Sequence, residues 1–246
     1  MAELILILTS VTIVSLVSFI GILFVGLKQA IVGRLLMVLV GFASGSLIGV
    51  VFFDLIPEAA ETGQAIWLYI VAGIVFFFVM EKFLYWRHCH DETCKVHSFA
   101  YMNLIGDGIH NFVDGALIAA SFLVSASIGF TTSLAVVFHE IPQELGDFGV
   151  LVYGGLERKK AMIYNFLSAL TAVAGALVAY ILASQVQSLP ELLVPFAAGG
   201  FIYIAATDLM PELHKRTQAK DSVIQLLTLL AGIALMYILE TVLPSH

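Results

Sequence analysis

Between Gly106 and Asp147 the chain sets nine polar side chains into two otherwise apolar segments. The first carries Asp107, His110, Asn111 and Asp114; the second carries His139, Glu140, Gln143, Glu144 and Asp147. Residues three or four apart share a helix face. Asp107, His110 and Asp114 therefore stack on one face, with Asn111 at its border. His139 stacks with Gln143, and Glu140 with Glu144, while Asp147 follows three residues on. Two such helices facing each other offer imidazole, carboxylate and amide groups to one or two cations. Mixed histidine and carboxylate donors suit zinc, iron or manganese, whereas an all-oxygen set leans toward magnesium or calcium. A bound cation also offsets the cost of burying Asp114 and Glu140. A hydrogen-bonded network without metal is the plainer alternative, and nine polar groups on adjacent segments disfavour it. Pro142 lies among these residues and is expected to kink its helix, turning the carbonyl of Phe138 toward the cavity. Gly106, Gly108, Gly115 and Gly146 are expected to give small faces for close helix packing.

The elements that must position these groups are membrane spans. The 246 residues are 60% hydrophobic and 12% charged, against about 25% charged in a soluble domain, and the mean hydropathy is +1.01. Ionisable groups inside such a chain mark a substrate or ion path. A span takes about 20 apolar residues. Eight are expected, at residues 4–27, 35–56, 66–85, 99–122, 128–153, 162–184, 192–213 and 223–243, with the two polar segments weakest in hydropathy. All eleven lysines and arginines fall in alternate connections: Lys28 and Arg34; Lys82, Arg87 and Lys95; Arg158, Lys159 and Lys160; Lys215, Arg216 and Lys220. The positive-inside rule puts those loops in the cytoplasm and both termini outside. The expectation is an all-α polytopic membrane protein, one transmembrane domain over residues 1–246, seated in the cell membrane. No basic n-region or cleavage site precedes the first apolar run, which is expected to be retained. A net charge of −7 argues against a nucleic-acid partner, and two cysteines in one hydrophilic loop give no disulfide framework.

An internal repeat orders the spans. Phe42-Ala43-Ser44-Gly45 leads to Asp54-Leu55-Ile56-Pro57-Glu58, and Phe196-Ala197-Ala198-Gly199 leads to Asp208-Leu209-Met210-Pro211-Glu212. The offset is 154 throughout, and Ile48 and Ile202 match at the same offset. The second and seventh spans cross in opposite directions, so this is an inverted repeat of spans 1–3 and 6–8 around spans 4 and 5, in a 3+2+3 arrangement. Such repeats hold a substrate site near the midplane between the halves. Asp54 and Glu58 are then expected near the outer mouth and Asp208 and Glu212 near the cytoplasmic one, where they attract cations. The alternative is turn chemistry beside Pro57 and Pro211.

Three other chemistries fit less well. An intramembrane metalloprotease needs two histidines four apart with a glutamate after the first. His139-Glu140 begins that pattern, but position 143 is Gln. A di-iron carboxylate enzyme needs Glu-x-x-His pairs on two helices, and neither segment has one. A cation/proton exchanger shares the acidic mouths and the repeat but leaves His110 and His139 without a task.

His110-Asn111-Phe112-Val113-Asp114-Gly115, followed by His139-Glu140-Ile141-Pro142-Gln143-Glu144-Leu145-Gly146-Asp147-Phe148, resembles the ZIP (Zrt/Irt-like) metal transporter family. The subfamily it resembles has an HNFxDG fourth helix and an HExPHExGDF fifth helix. Tyr164-Asn165-Phe166-Leu167-Ser168-Ala169-Leu170-Thr171 resembles its sixth helix. The resemblance implies no enzyme and no catalytic cofactor. It implies uptake of a divalent transition metal, zinc foremost, with iron, manganese or cadmium as alternatives, into the cytosol through a binuclear centre in a homodimer. Carried over, His110, Asp114, His139 and the Gln143 position hold the first metal. Asn111, Asp114 and Glu140 hold the second, and Asn165 and Ser168 contribute from the sixth helix. The departure is Gln143, where the subfamily has His, a stronger ligand for zinc than an amide oxygen. The hydrophilic loop at residues 87–98 carries His88, Cys89, His90, Cys94 and His97, a soft donor set expected in the cytoplasm with its thiols reduced. The resemblance implies a transient metal acceptor or sensor there; a flexible loop with incidental affinity is the alternative.

Overall fold

Long apolar runs, with few polar backbone competitors, leave the chain no stable option in lipid but helix, because every backbone group must be paired internally. The computed structural model describes residues 2–21, 29–61, 66–85, 98–186 and 188–242, and these are helical apart from short corners. In chain order the helices are α1 (Ala2–Val17), α2 (Gln29–Val50), α3 (Ile56–Glu61), α4 (Ile66–Tyr85), α5 (Ser98–Val124), α6 (Ala126–Tyr153), α7 (Arg158–Ala169), α8 (Thr171–Ala183), α9 (Leu189–Ile204), α10 (Met210–His214) and α11 (Ala219–Val242). Residues 88–97 of the histidine- and cysteine-bearing loop lie outside the described residues.

Among the described residues, five helical stretches are long and apolar enough to cross a membrane: Glu3–Ile20, Gly33–Glu61, Arg158–Ala183, Leu189–His214 and Ala219–Val242. α4 has 20 residues, the length a span requires. α5 and α6 are longer, at 27 and 28 residues, or about 40 Å at 1.5 Å per residue. Their polar face lowers their hydropathy. α5 and α6 meet at a corner of one residue, Ser125, whose extended backbone and side chain cap α6 by accepting from the Ile128 amide at 3.2 Å. This is the helix-start chemistry expected of serine. The tight corner forces α5 and α6 to run antiparallel and side by side. α2, α4, α8 and α9 pack around them.

The sequence offset of 154 reappears in backbone geometry. α2 passes through a π-helical turn at Val51–Leu55 into α3, and α9 passes through one at Ala205–Leu209 into α10. The cause is proline. Pro57 and Pro211 offer no amide and clash with the carbonyl four residues back. The helix therefore widens one turn ahead of each: the Ile56 amide bonds Val51 and the Met210 amide bonds Ala205, both five residues back. Packing repeats as well. A Cβ on Gly45 would strike the carbonyl of Leu229, and one on Gly232 the carbonyl of Phe42, so α2 and α11 touch backbone to backbone. A Cβ on Gly199 would strike the carbonyl of Ile70, and one on Gly73 the carbonyl of Phe196, which joins α9 to α4 identically. Phe42 and Gly45 lie 154 before Phe196 and Gly199, while Ile70 and Gly73 lie 159 before Leu229 and Gly232. The repeat therefore extends to α4 and α11, where residue identity does not reveal it.

One expectation changes. Gly115 does give a close approach, to the carbonyl of Ala172 on α8, but a Cβ on Gly146 would meet nothing within 4 Å. Gly146 faces outward on α6 and is no packing surface. Pro142 lies inside α6, which is helical on both sides of it.

Candidate metal centre

The antiparallel pair of α5 and α6 brings four side chains to one point. His110, Asp114, His139 and Glu140 are all buried and offer one ligand atom each within 4.8 Å of one another, a group that could hold a metal ion. The His139 Nε2 lies 2.9 Å from Asp114 Oδ2 and 3.6 Å from Glu140 Oε1. His110 Nε2 lies 3.7 Å from Asp114 Oδ2, 3.5 Å from Glu140 Oε1 and 3.4 Å from His139 Nε2. These are five of the six separations among the four atoms, and the sixth lies within 4.8 Å. Zinc bonds of about 2.0–2.1 Å to nitrogen and oxygen require tetrahedral edges of about 3.4 Å. The five separations lie around that value, so small side-chain shifts would bring the four atoms onto one ion.

The surroundings hold those atoms in place. His139 Nδ1 lies 3.1 Å from the Ala135 carbonyl. A carbonyl only accepts, so Nδ1 donates and Nε2 is the ring nitrogen that faces the centre, the outer-shell arrangement typical of metal-binding histidines. Two phenyl rings wall the site. Phe77 of α4 meets His110 edge-on at 5.9 Å, and Phe201 of α9 meets His139 at 5.8 Å. Both rings are buried. Each comes from one arm of the repeat, and together they exclude water from the charges. Asp114 and Glu140 are both 0% exposed, and apart from the histidine nitrogens beside Asp114 Oδ2 and Glu140 Oε1 their oxygens meet no hydrogen-bond donor. Buried acceptors are ordinarily paired, and a cation is the partner these four can share.

The other sequence-derived residues fall in separate places. Gln143 follows His139 by one turn and is half-buried. Asn111 is buried and donates its amide to Asp107 Oδ1 at 2.8 Å, with its own Oδ1 unpartnered. Asp107 also accepts from the Ser168 hydroxyl, and Glu144 accepts from Asn165. These form a second polar group one turn from the first, toward the end of α5 and α6 remote from Ser125. Asp147 belongs to it as well, accepting from Asn103 Nδ2 at 2.9 Å. Asn103 is absent from the sequence-derived set, yet it lies four residues before Asp107 and extends the same face of α5.

The acids of the repeat do not form two equal mouths. Asp208 is exposed and accepts from Thr207 at 3.1 Å, and Glu212 pairs with Lys215 at the surface. Asp54 is instead 1% exposed, with the Thr131 side chain as its polar neighbour. The π turn carries Asp54 into the packing of α2, α6 and α9, so it lies in the interior and lines no open mouth. Beside Asp208, the hydroxyl of Tyr203 donates to Glu81 of α4, a pair that the motifs alone do not mark.

Fold and centre together define an integral membrane protein of antiparallel apolar helices built around a buried histidine and carboxylate cluster. Residues 87–240 match the family model described as ZIP zinc transporter, and the chain belongs to that family. It is 37% identical over 215 residues to zinc transporter ZIP13 of Pongo abelii, covering 80% of this chain and 65% of the relative. It is 28% identical over 271 residues to zinc transporter zipt-7.2 of Caenorhabditis elegans, covering 84% and 58%. A zinc transporter ZIP13 of Danio rerio is 39% identical over 148 residues, covering 59% and 42%. The chain thus spans two thirds or less of the length of these relatives.

Proposed function

We propose that this protein carries divalent transition metal ions, zinc foremost, across a cell membrane into the cytoplasm through the cluster of His110, Asp114, His139 and Glu140. The observation that carries the reading is the convergence of two imidazole nitrogens and two carboxylate oxygens, all within 4.8 Å of one another, between the long antiparallel helices α5 and α6. Burying two carboxylates and two imidazoles in lipid without a cation is costly, and the ion itself is the cargo. Asn111 and the Gln143 position supply further oxygen to a second ion sharing Asp114 and Glu140. No residue is given a catalytic role.

The arrangement in the membrane is eight spans with both termini extracytoplasmic, in which the α7–α8 and α9–α10 stretches each cross once. The inverted repeat is supported by the matched π turns and the matched glycine contacts. A further sign is that Ser15 donates to the carbonyl of Ala169 at 2.8 Å, and these two positions are themselves 154 apart. Equivalent positions touch each other on the axis that relates two copies. A carrier is expected to rock one bundle past the other about such an axis. The burial of Asp54 against the exposure of Asp208 fits a conformation closed outside and open inside. The family resemblance adds a homodimer, and residues 88–97 would receive the released metal.

Uptake of zinc into proteoliposomes by the purified chain tests the reading, with iron, manganese and cadmium in parallel. Asp114→Ala should leave less than about a tenth of the wild-type rate, since losing even outer-shell partners of a metal costs 10–100-fold. Wild-type uptake in folded Asp114→Ala would refute the central site.

A further inference from the structure

The second polar group has more acceptors than donors. Glu144 and Asn165 are both 0% exposed, and Glu144 Oε1 and Asn165 Oδ1 accept no hydrogen bond. Their remaining capacity is spent on each other. Asn165 Nδ2 donates to Glu144 Oε2 and, at 3.4 Å, to the Glu144 carbonyl. That choice fixes the amide with its oxygen left over. Ser168, one turn further along α7, gives its hydroxyl to Asp107 and to the Asn165 carbonyl, the latter at 2.9 Å, so α7 is lashed to α5 beside the same spot. The carboxylates of Asp107, Glu140 and Asp147 bear on Glu144. A closed hydrogen-bond network would pair its buried oxygens, and an isolated buried charge is strongly unfavourable. A cation that joined these two unpaired acceptors among four acids would relieve both costs.

We propose that Glu144 and Asn165, with Asp107 behind them, form a further divalent-cation site made only of oxygen donors, one helical turn from the histidine centre. It contains neither imidazole nor thiolate, so it favours hard ions such as manganese and calcium and holds zinc loosely. On the transport reading it lies on the cytoplasmic side of the histidine centre. There it receives the ion after the nitrogen ligands let go, and its weaker hold on zinc eases release. The place in that sequence rests on the transport reading, whereas the binding of a hard cation stands on these residues alone.

The test uses the full chain in lipid nanodiscs and manganous ion, read by the loss of the free-ion electron paramagnetic resonance signal. Zinc bound to the histidine centre is read separately by competition with a chromogenic chelator. The double variant His110→Ala/His139→Ala should lose tight zinc binding and keep manganese binding. Asn165→Leu should weaken manganese at least about tenfold, the usual cost of disturbing a metal's surroundings, and leave zinc at the histidine centre. Asn165→Asp replaces an amide by a charged oxygen and should bind manganese at least as tightly as wild type. Should Asn165→Leu fail to fold, Asn165→Asp decides, because unchanged zinc binding with weakened manganese binding would overturn the proposal. Manganese lost with the histidines, or indifferent to both Asn165 variants in folded protein, would overturn it too. Zinc uptake that fails while manganese binding follows Asn165 would refute transport and leave this site standing.

Discussion

Asp54 and Asp208 stand at equivalent places in two copies of one motif. Each sits in a π turn forced by a proline, on a helix welded to its neighbour by the same pair of glycine contacts. Their surroundings nevertheless differ. Asp54 is sealed among α2, α6 and α9 beside Thr131, while Asp208 is exposed beside Thr207 and near the Tyr203–Glu81 pair. Local structure is therefore set by the repeated sequence, and burial by what each copy packs against.

The largest expected effect is in chemical access. With Cys89 and Cys94 replaced by serine, Asp208→Cys should react with a water-soluble maleimide at least about tenfold faster than Asp54→Cys, since thiol reactivity follows exposure. Equal rates would dissolve the comparison. A metal that reversed the ranking would sharpen it into two exchanging states. Next comes stability, which should be alike in the two copies. Gly45→Val and Gly199→Val each push a side chain into a facing carbonyl and should cost about 1–3 kcal/mol or more, read by thermal unfolding in detergent. A large cost at one and none at the other would break the packing equivalence. The smallest effect belongs to Gly146→Ala, where open space should keep the change within about 0.5 kcal/mol.

Much of this was legible in the residues. Helical spacing placed His110, Asp114, His139 and Glu140 on facing surfaces, and the repeated Asp-Leu-x-Pro-Glu motif foretold two matched helices. Rotation of one helix against the other was not legible. Periodicity gives a face about a third of a turn wide, so it could not tell whether Glu140 or Gln143 stands nearer the histidine pair. The structure brings Glu140 to within 3.6 Å of both imidazoles. The π turns were hidden because proline announces a disturbance and not its form. The burial of Asp54 depends on α6 and α9, distant in sequence. Asn103 does carry a sequence signal: it continues the stripe of Asp107 and His110 by one turn, and it donates to Asp147 of the facing stripe. The equivalence of α4 and α11 lives in where their glycines meet a neighbour's backbone, a pattern without a residue signature.

The central claim is that zinc is held by two imidazoles and two carboxylates from α5 and α6. X-ray absorption spectroscopy of the full chain loaded with one equivalent of zinc tests it directly. The account predicts about four nitrogen and oxygen neighbours at about 2.0–2.1 Å, with multiple scattering from two imidazole rings that falls by half in His139→Ala. A shell containing sulfur at about 2.3 Å, or an oxygen-only shell indifferent to His139, would contradict it.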